Sequence, residues 1–220
     1  MSCVYWTTTK SKEHDSFSPT KSVGKLDDTV KFRVYNAQSI NNTVNEVMDY
    51  LSDNDIGILA LCESWLSDKN CPTTAKIKAH GFKIEHNFRS DRRGGGTALI
   101  FKSCYSLYKV TLKGKFSTFE YTVASLKTGS RHRILFLVLY RTGNLTSEFN
   151  KELDDILSQV FSLSDSIILA GDFNIHFNKA PKTALLPKLL TLLIHMLYNG
   201  TVPKLRILKA VHLTRYFHSH

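Results

Sequence analysis

The chain has 220 residues, of which 42% are hydrophobic and 22% are charged, so it is long enough to bury one good core with a tail to spare. The opening residues lack a basic segment followed by an apolar one, so we expect an intracellular protein, in the nucleus or cytoplasm, that is not secreted. An apolar run of the roughly 18–20 residues that cross a bilayer is also absent, so we expect no membrane partner.

The net charge of +10 is unevenly distributed along the chain. Seven basic residues and no acidic residue follow Asp172, so most of the excess belongs to the C-terminal tail. The charge is therefore weak evidence for a nucleic-acid partner. Four cysteines, at positions 3, 62, 71 and 104, show neither paired spacing nor nearby histidines at zinc-ligand intervals. We predict free thiols and no disulfide-linked partner.

Residues 1–29 lack a sustained periodicity and are rich in Ser, Thr and Lys, which predicts a poorly ordered leader. The folded domain is predicted to span residues 30–177. Within it, short apolar and β-branched runs predict eight strands. They cover residues 31–35, 56–61, 82–85, 97–102, 106–112, 120–127, 133–140 and 166–170.

Two stretches have the apolar spacing of a helix with one buried face. The first covers residues 42–52, and its apolar residues are Val44, Val47, Met48 and Leu51. The second runs to about Phe161 from a cap at Thr146 or Ser147, and its apolar face holds Phe149, Leu153, Ile156, Leu157 and Val160. A strand–helix–strand opening, meandering strands and a final helix-to-strand step predict an α/β sandwich of two packed mixed sheets flanked by helices.

Residues 178–220 differ in character from the domain before them. Acidic residues are absent there, Leu, Lys and His dominate, and three prolines interrupt any long helix. We interpret this segment as a divergent basic tail. Its abrupt change in composition suggests the hypothesis that it is a truncated or frame-shifted continuation.

Polar residues that follow apolar runs directly are the candidates for chemistry. They are Asn36 in VYNAQS, Glu63 in ILALCESWL, Tyr140 in LFLVLYRTG, and Asp172 with Asn174 in IILAGDFNIH. One strand-end carboxylate is usually only solvated, but Glu63 and Asp172 together can converge on a hard cation such as Mg²⁺. Asn36 and Asn174 can donate to a phosphate or a water, and Tyr140 with Arg141 can supply a donor and a positive charge. The set suits phosphate chemistry better than acyl transfer.

The segment RRGGGTALIF invites two interpretations. A phosphate-binding P-loop needs Lys and Ser or Thr after its glycines, and this chain does not supply them, so a tight turn before a strand is the better prediction. Arg89, Arg92 and Arg93 precede the glycines and can contact a nucleic-acid backbone, although a basic loop is often only a solvated loop.

The motifs NAQS, ALCESWL, GGGTALIF, FE, LYR and GDFNIH, in this order, resemble the endonuclease/exonuclease/phosphatase superfamily, and especially the endonuclease domains of non-LTR retrotransposons, which accompany reverse transcriptases. The resemblance covers about residues 30–177. It implies the four-layer α/β sandwich of deoxyribonuclease I and the apurinic/apyrimidinic endonucleases, DNA as substrate, and Mg²⁺, or alternatively Mn²⁺, as cofactor.

The resemblance also implies a role for each candidate residue. Glu63 would bind the Mg²⁺, and Asn36 would help to hold the metal site. Tyr140 would donate toward the scissile phosphate, Asp172 would position and deprotonate the attacking water, and Asn174 would bond a phosphate oxygen. Arg141, Arg92 and Arg93 are the predicted substrate-binding residues.

One part of the family pattern is missing. The superfamily carries an aspartate–histidine pair, usually written SDH, on its last strand, and no acidic residue follows Asp172 in this chain. We therefore expect the last strands to be missing and the DNA endonuclease activity to be impaired. The alternative is an inactive remnant that at most binds nucleic acid, and a phosphatase of the same superfamily is a further alternative. The oligomeric state is not predicted.

Overall fold

The computed structural model describes residues 4–7, 29–68, 71–89, 94–128, 132–142, 146–164, 166–174 and 204–209. Ten strands and three helices lie within these ranges. In chain order they are β1 (Val4–Thr7), β2 (Thr29–Asn36), α1 (Val44–Asp53), β3 (Ile58–Cys62), α2 (Pro72–Ala79), β4 (Phe82–Asn87), β5 (Thr97–Lys102), β6 (Leu107–Lys109), β7 (Phe119–Thr128), β8 (His132–Arg141), α3 (Ser147–Leu163), β9 (Ser166–Asp172) and β10 (Lys204–Lys209).

The strands form two sheets of five. The N-terminal sheet has the order β1-β2-β3-β5-β4, and the C-terminal sheet has the order β10-β9-β8-β7-β6. The pairs β2–β3, β8–β9 and β9–β10 are parallel, and the other neighbours are antiparallel. Both sheets are therefore mixed, as the sequence predicts.

Three buried clusters define four layers. One cluster joins α1 and α2 to the outer face of the N-terminal sheet, and a second joins α3 to the outer face of the C-terminal sheet. The third lies between the sheets, where Ile58, Ala60 and Leu99 meet Phe136 and Val138. Because β3 is covered on both faces, all five of its residues are apolar and buried. The predicted four-layer α/β sandwich is confirmed.

The predicted elements agree closely with the described ones. All eight predicted strands are present, and the apolar residues predicted to face the core from α1 and α3 are all buried. The Oγ1 of Thr146 accepts a hydrogen bond from the Phe149 amide at 3.1 Å and so caps α3 as predicted. The sequence pattern does not predict α2. Its buried residues are Thr73, Thr74 and one apolar residue, Ile77, so the helix lacks an apolar stripe.

Two strands lie in segments for which the sequence reasoning predicts none. In the leader, β1 (sequence VYWT) pairs antiparallel with β2, and its β-branched and aromatic residues favour a strand. In the tail, β10 pairs parallel with β9. That the last strands of the family pattern are missing stays a prediction. The remaining residues of the leader and the tail lie outside the described ranges, so the poor order predicted for the leader stays a prediction.

The topology places four strand ends at one edge of the sandwich. In each sheet a parallel pair, β2–β3 and β8–β9, directs its carboxyl ends toward this edge. Among the described residues, Cys62, Cys71 and Cys104 are free cysteines. None of the helices in the described ranges is long and apolar enough to cross a membrane.

Candidate active site

Asn36 connects the two sheets at this edge. Its side-chain nitrogen Nδ2 donates to Oε1 of Glu63 and to Oδ2 of Asp172, in both cases at 2.9 Å. Asn36 is the last residue of β2 and is 4% exposed, whereas the two carboxylates are partly exposed. A single amide group therefore gathers two acidic side chains from different sheets and leaves part of each accessible.

Glu63 lies directly after β3 in a backbone conformation that few residues other than glycine adopt. Its φ is +52°, and Trp65 two residues later has a φ of +54°. Hydrogen bonds hold this turn on both sides, because the Glu63 carbonyl accepts from the Ser39 amide at 2.9 Å and the Trp65 amide donates to the Gly95 carbonyl at 2.9 Å. The turn directs the Glu63 carboxylate toward Asn36.

Asp172 is the last residue of β9 and is fixed through both carboxylate oxygens. While Oδ2 accepts from Asn36, Oδ1 accepts from the backbone amide of Asn174 at 2.9 Å. Each carboxylate oxygen has two acceptor positions, so one on each oxygen is still available for a water or a cation. The two hydrogen bonds hold the Asp172 side chain in place, and both of its oxygens can still accept a further hydrogen bond or bind a cation.

Tyr140 stands beside Asp172 in the β8–β9 register and is 8% exposed. Burial, the charge of Glu63, a hydrogen bond to the Glu63 side chain and the charge of Glu120 raise the pKa of Tyr140 above its usual value of 10.0, while Arg89 opposes the shift. The phenol therefore stays protonated at neutral pH. It is a donor, and in this structure its partner is Glu63.

Arg141 follows Tyr140 but does not face the open edge. It is 3% exposed, and its guanidinium donates to the backbone carbonyls of Phe173 at 2.5 Å and Asn174 at 2.7 Å. In return, Nδ2 of Asn174 donates to the Arg141 carbonyl at 2.6 Å. Burial lowers the pKa of Arg141, and the negative charge of Asp172 opposes that shift. Arg141 thus holds the loop that follows Asp172, and its contact with substrate stays a prediction.

Two charged residues that the sequence reasoning did not include in the site lie next to it. Glu120 pairs with Tyr140 across β7 and β8, and its carboxylate accepts from the Arg89 guanidinium and the Gly96 amide. The available signals were the FE motif, which holds Glu120, and the position of Arg89 before the glycines. Neither signal reveals that two residues 31 positions apart form a pair.

The structure brings Asn36, Glu63, Tyr140, Asp172 and Asn174 together at one edge. The predicted substrate-binding residues Arg92 and Arg93 lie outside the described residues, so their role stays a prediction. Among the residues that the structure describes, no three His, Cys, Asp or Glu side chains are grouped closely enough to hold a metal ion by themselves.

The donor set nevertheless suits a divalent cation of the magnesium type. Mg²⁺ is usually held by one or two carboxylates, together with waters and the phosphate of a substrate. Glu63 and Asp172 supply two partly exposed carboxylates that share one donor, and the Asn36 carbonyl oxygen is a third oxygen close by. Such a donor set at the strand ends of a four-layer sandwich is suited to phosphate chemistry.

Comparison with known proteins agrees with this class. The profile of the Endonuclease/Exonuclease/phosphatase family matches residues 34–211, and the chain belongs to this family. Enzymes of the family generally depend on a divalent metal. The match extends into the segment after residue 177 that the sequence reasoning set apart as a tail. A search of curated protein sequences finds no match.

Several solved structures are similar to this chain. The AP endonuclease LMAP from Leishmania major aligns with a TM-score of 0.53 and 15% identity, over 66% of this chain and 55% of that one. An AP endonuclease from Archaeoglobus fulgidus aligns with a TM-score of 0.47 and 16% identity, over 66% and 58%. The 3′ phosphatase NExo from Neisseria, bound to a product DNA hairpin, aligns with a TM-score of 0.47 and 18% identity, over 64% and 56%. The chain spans little more than half of each of these proteins, and the Leishmania structure supports the fold.

Proposed function

We propose that this chain is a Mg²⁺-dependent phosphodiester hydrolase that cleaves DNA, an endonuclease of the retrotransposon type with impaired activity. The observation that carries the proposal is the single Asn36 amide that holds the carboxylates of Glu63 and Asp172 together at 2.9 Å each. Two acidic groups at the open edge repel one another, and a bound cation would offset that repulsion. DNA is proposed as the substrate because the sequence motifs, in their order and in their residues, resemble those of retrotransposon endonuclease domains.

Asp172 is the proposed group that orients and deprotonates water. Its two oxygens are fixed by Asn36 and by the Asn174 amide, so the carboxylate needs no reorganisation when a water binds to its remaining acceptor positions. General-base help of this kind typically contributes ~10²–10⁴ in rate. Loss of Asp172 should therefore abolish measurable turnover.

Tyr140 and Asn174 are the proposed donors to the phosphate. The Tyr140 phenol is protonated at neutral pH, so it can turn from Glu63 toward a phosphate oxygen when substrate arrives. The Asn174 side chain donates to the Arg141 carbonyl, so a bond to phosphate uses its second amide proton. Donors held beside the reacting phosphate stabilise the negative charge that develops on its oxygens.

Glu63, with Asn36 beside it, is the proposed ligand of Mg²⁺ or, alternatively, Mn²⁺. The bound ion would supply Lewis-acid stabilisation of charge on the phosphate oxygens. The turn at Glu63 and the donor from Asn36 both hold the carboxylate in one orientation.

Impaired activity is proposed for residues 1–220 because they hold no acidic residue after Asp172 and therefore no aspartate–histidine pair in that segment. The same observation favours the second candidate, a catalytically inactive remnant that at most binds nucleic acid. A phosphatase of the same superfamily is the third candidate, since the fold alone does not select a substrate.

Nicking of supercoiled plasmid by the purified chain tests the proposal. We expect slow nicking with Mg²⁺, none with EDTA, and none from Asp172→Ala, which also excludes a contaminating nuclease. A p-nitrophenyl phosphate assay on the same samples tests the phosphatase alternative. A folded wild-type protein that nicks no faster than Asp172→Ala would support the inactive remnant.

A further inference from the structure

The glycine segment before β5 contacts the candidate site, and the proposed function gives it no role. Gly94, Gly95 and Gly96 have φ values of +90°, +71° and +83°, which form the tight turn predicted from the sequence. A Cβ atom added to Gly95 would lie 2.6 Å from Cζ of Arg89 and 2.7 Å from Oε1 of Glu120. Gly95 is therefore required both by the turn and by the close approach of a charged pair.

Glu120 anchors this turn from the opposite sheet. It lies at the start of β7, and its two carboxylate oxygens accept from the Arg89 side chain and from the Gly96 amide. The side chains of Arg89 and Glu120 are only 14% and 19% exposed, so the pair is largely shielded from solvent. We call residues 94–96 together with Arg89 and Glu120 the glycine clamp.

The glycine clamp bonds directly to the turn that carries Glu63. The carbonyls of Gly95 and Gly96 accept from the amides of Trp65 and Ser64, at 2.9 and 3.2 Å. These are the two donors closest to Glu63 on its C-terminal side. A continuous set of hydrogen bonds thus runs from the Glu120 carboxylate through the glycine backbone to the residues that follow Glu63.

Glu63 needs such support because of its backbone conformation. A residue other than glycine in the left-handed region is strained, and this conformation persists only where the surrounding structure fixes it. Both Glu63 and Trp65 lie in that region, at +52° and +54°. If the amides of Ser64 and Trp65 lost their acceptors, the turn would relax and the Glu63 carboxylate would move away from Asn36.

We propose that Glu120 is a positioning residue for Glu63, which it holds in its metal-binding orientation through the glycine clamp. The inference rests on the proposed function, because it assigns Glu63 to the metal. It predicts that Glu120 controls metal affinity without contacting the metal or the substrate. Residues that orient metal ligands typically change metal affinity or activity by about 10–100-fold when they are replaced.

The decisive variant is Glu120→Gln, which keeps the size of the side chain. The glutamine side chain has one oxygen, which accepts, and one NH₂ group, which donates. In either orientation the NH₂ group faces the donor of Arg89 or of Gly96, so one anchoring bond is lost. The matched control is Asp55→Asn, which removes a carboxylate paired with Lys102 near the amino end of β3, at the opposite edge. Asn also tolerates the positive φ of +53° at that position.

Two readouts that do not use activity are measured on the full chain, namely amide hydrogen exchange by NMR and Mn²⁺ binding by electron paramagnetic resonance. In Glu120→Gln we expect the amides of Ser64 and Trp65 and the side-chain amide of Asn36 to exchange roughly tenfold faster, because an anchoring bond is lost. We expect the Kd for Mn²⁺ to rise at least about tenfold. The amide of Val47 in α1 and all the values for Asp55→Asn should match wild type.

Unchanged exchange at Ser64 and Trp65 in Glu120→Gln would overturn the proposal, and so would faster exchange with wild-type Mn²⁺ affinity. If the wild-type chain binds no Mn²⁺, the proposed function is contradicted. The exchange rate of the Asn36 side-chain amide then tests the positioning role by itself. That amide donates to Glu63 without any metal. Its faster exchange in the variant supports the role, and unchanged exchange overturns it.

Discussion

Asn36 is the residue on which the geometry of the site depends most. It is a neutral donor between two carboxylates, so it lowers their repulsion and fixes their separation at the same time. The sequence indicates Asn36, Glu63 and Asp172 as candidate site residues because each follows an apolar run. In the structure the three side chains lie together. The sharing of one nitrogen by both carboxylates could not be predicted, because it depends on how two sheets pack.

Replacement of Asn36 by aspartate tests this arrangement. In Asn36→Asp the shared donor becomes a third acceptor, so we expect plasmid nicking to fall by about 10–100-fold. The free energy of unfolding should fall by about 1–3 kcal/mol, because a third carboxylate in this buried position faces Glu63 and Asp172 and no donor is left between them. Urea unfolding and the nicking assay measure the two effects.

The control for this variant is Asn54→Asp, an identical change at the exposed end of α1, where the Asn54 side chain donates to the Tyr50 carbonyl. There we expect wild-type nicking and a loss of stability of about 1 kcal/mol or less, because one exposed hydrogen bond at the helix end is removed. Wild-type nicking and stability in Asn36→Asp would show that the shared donor is not needed.

The orientation of the Arg141 side chain could not be predicted from the sequence. The sequence places a positive charge directly after Tyr140, which suggests a substrate contact. In the structure the guanidinium is buried and bonds to the carbonyls of Phe173 and Asn174. The direction of a side chain at a strand end depends on the loop that packs over it, and that loop is not evident in the local sequence.

Glu152 on α3 should make stability depend on pH. It accepts from the amides and hydroxyls of Ser117 and Thr118, at 2.5–3.0 Å. Burial alone would raise the pKa of Glu152, but the hydrogen bonds from Thr118 and Ser117 lower it below the usual 4.5. A lowered pKa stabilises the folded state above pH 4.5, and this contribution is lost as the pH falls through the lower folded value.

We therefore expect Glu152→Gln to lower the free energy of unfolding by about 1.5–3 kcal/mol at pH 7 and by much less at pH 3. Urea unfolding at the two pH values measures the difference. The control is Glu148→Gln on the same helix, whose exposed pair with Lys151 should contribute less than about 1 kcal/mol. An equal loss for Glu152→Gln at both pH values would contradict this reasoning.

At the scale of elements, the pairing of β8 with β9 depends on a glycine. Gly171 has a φ of +149°, and an added Cβ would lie 1.9 Å from the Leu139 carbonyl oxygen of β8. Because the obstacle is backbone, it cannot move aside without separating the strands. This places a structural requirement one residue before Asp172.

Gly171→Ala should therefore destabilise the protein by about 4 kcal/mol or more, which we expect to appear as loss of the folded state in thermal unfolding. The control is Gly81→Ala, where φ is +81° but nothing lies within 4 Å of the added atom. There only the backbone strain of about 1–2 kcal/mol remains. Similar costs for the two variants would mean that the contact with Leu139 relaxes easily.

The elements also show which kinds of helix a sequence reveals. In α1 and α3 the buried residues repeat at helical spacing, so the periodicity predicts them. In α2 the buried residues are Thr73, Thr74 and Ile77, and the exposed ones include two lysines. A short helix that buries hydroxyl groups against the sheet carries too little contrast between its faces to be predicted.

At the scale of the whole molecule, the site exists only because two sheets meet. Glu63 comes from the N-terminal sheet and Asp172 from the C-terminal one, and they lie 109 positions apart. The sandwich was predictable, because a strand–helix–strand opening, a run of meandering strands and a final helix-to-strand step occur in that order. The pairing of β10 with β9 was not, because the composition of the tail favours no particular structure.

The most direct test of the central claim is the Mg²⁺ dependence of plasmid nicking for wild type, Glu63→Gln and Asp172→Asn. If Glu63 binds the metal and Asp172 activates water, Glu63→Gln needs about 10–100-fold more Mg²⁺ for half-maximal nicking. Asp172→Asn should lose about 10²–10⁴ in maximal rate, and added Mg²⁺ should not restore it. Wild-type curves from both variants would contradict the claim that these two carboxylates form one metal-dependent phosphodiesterase site.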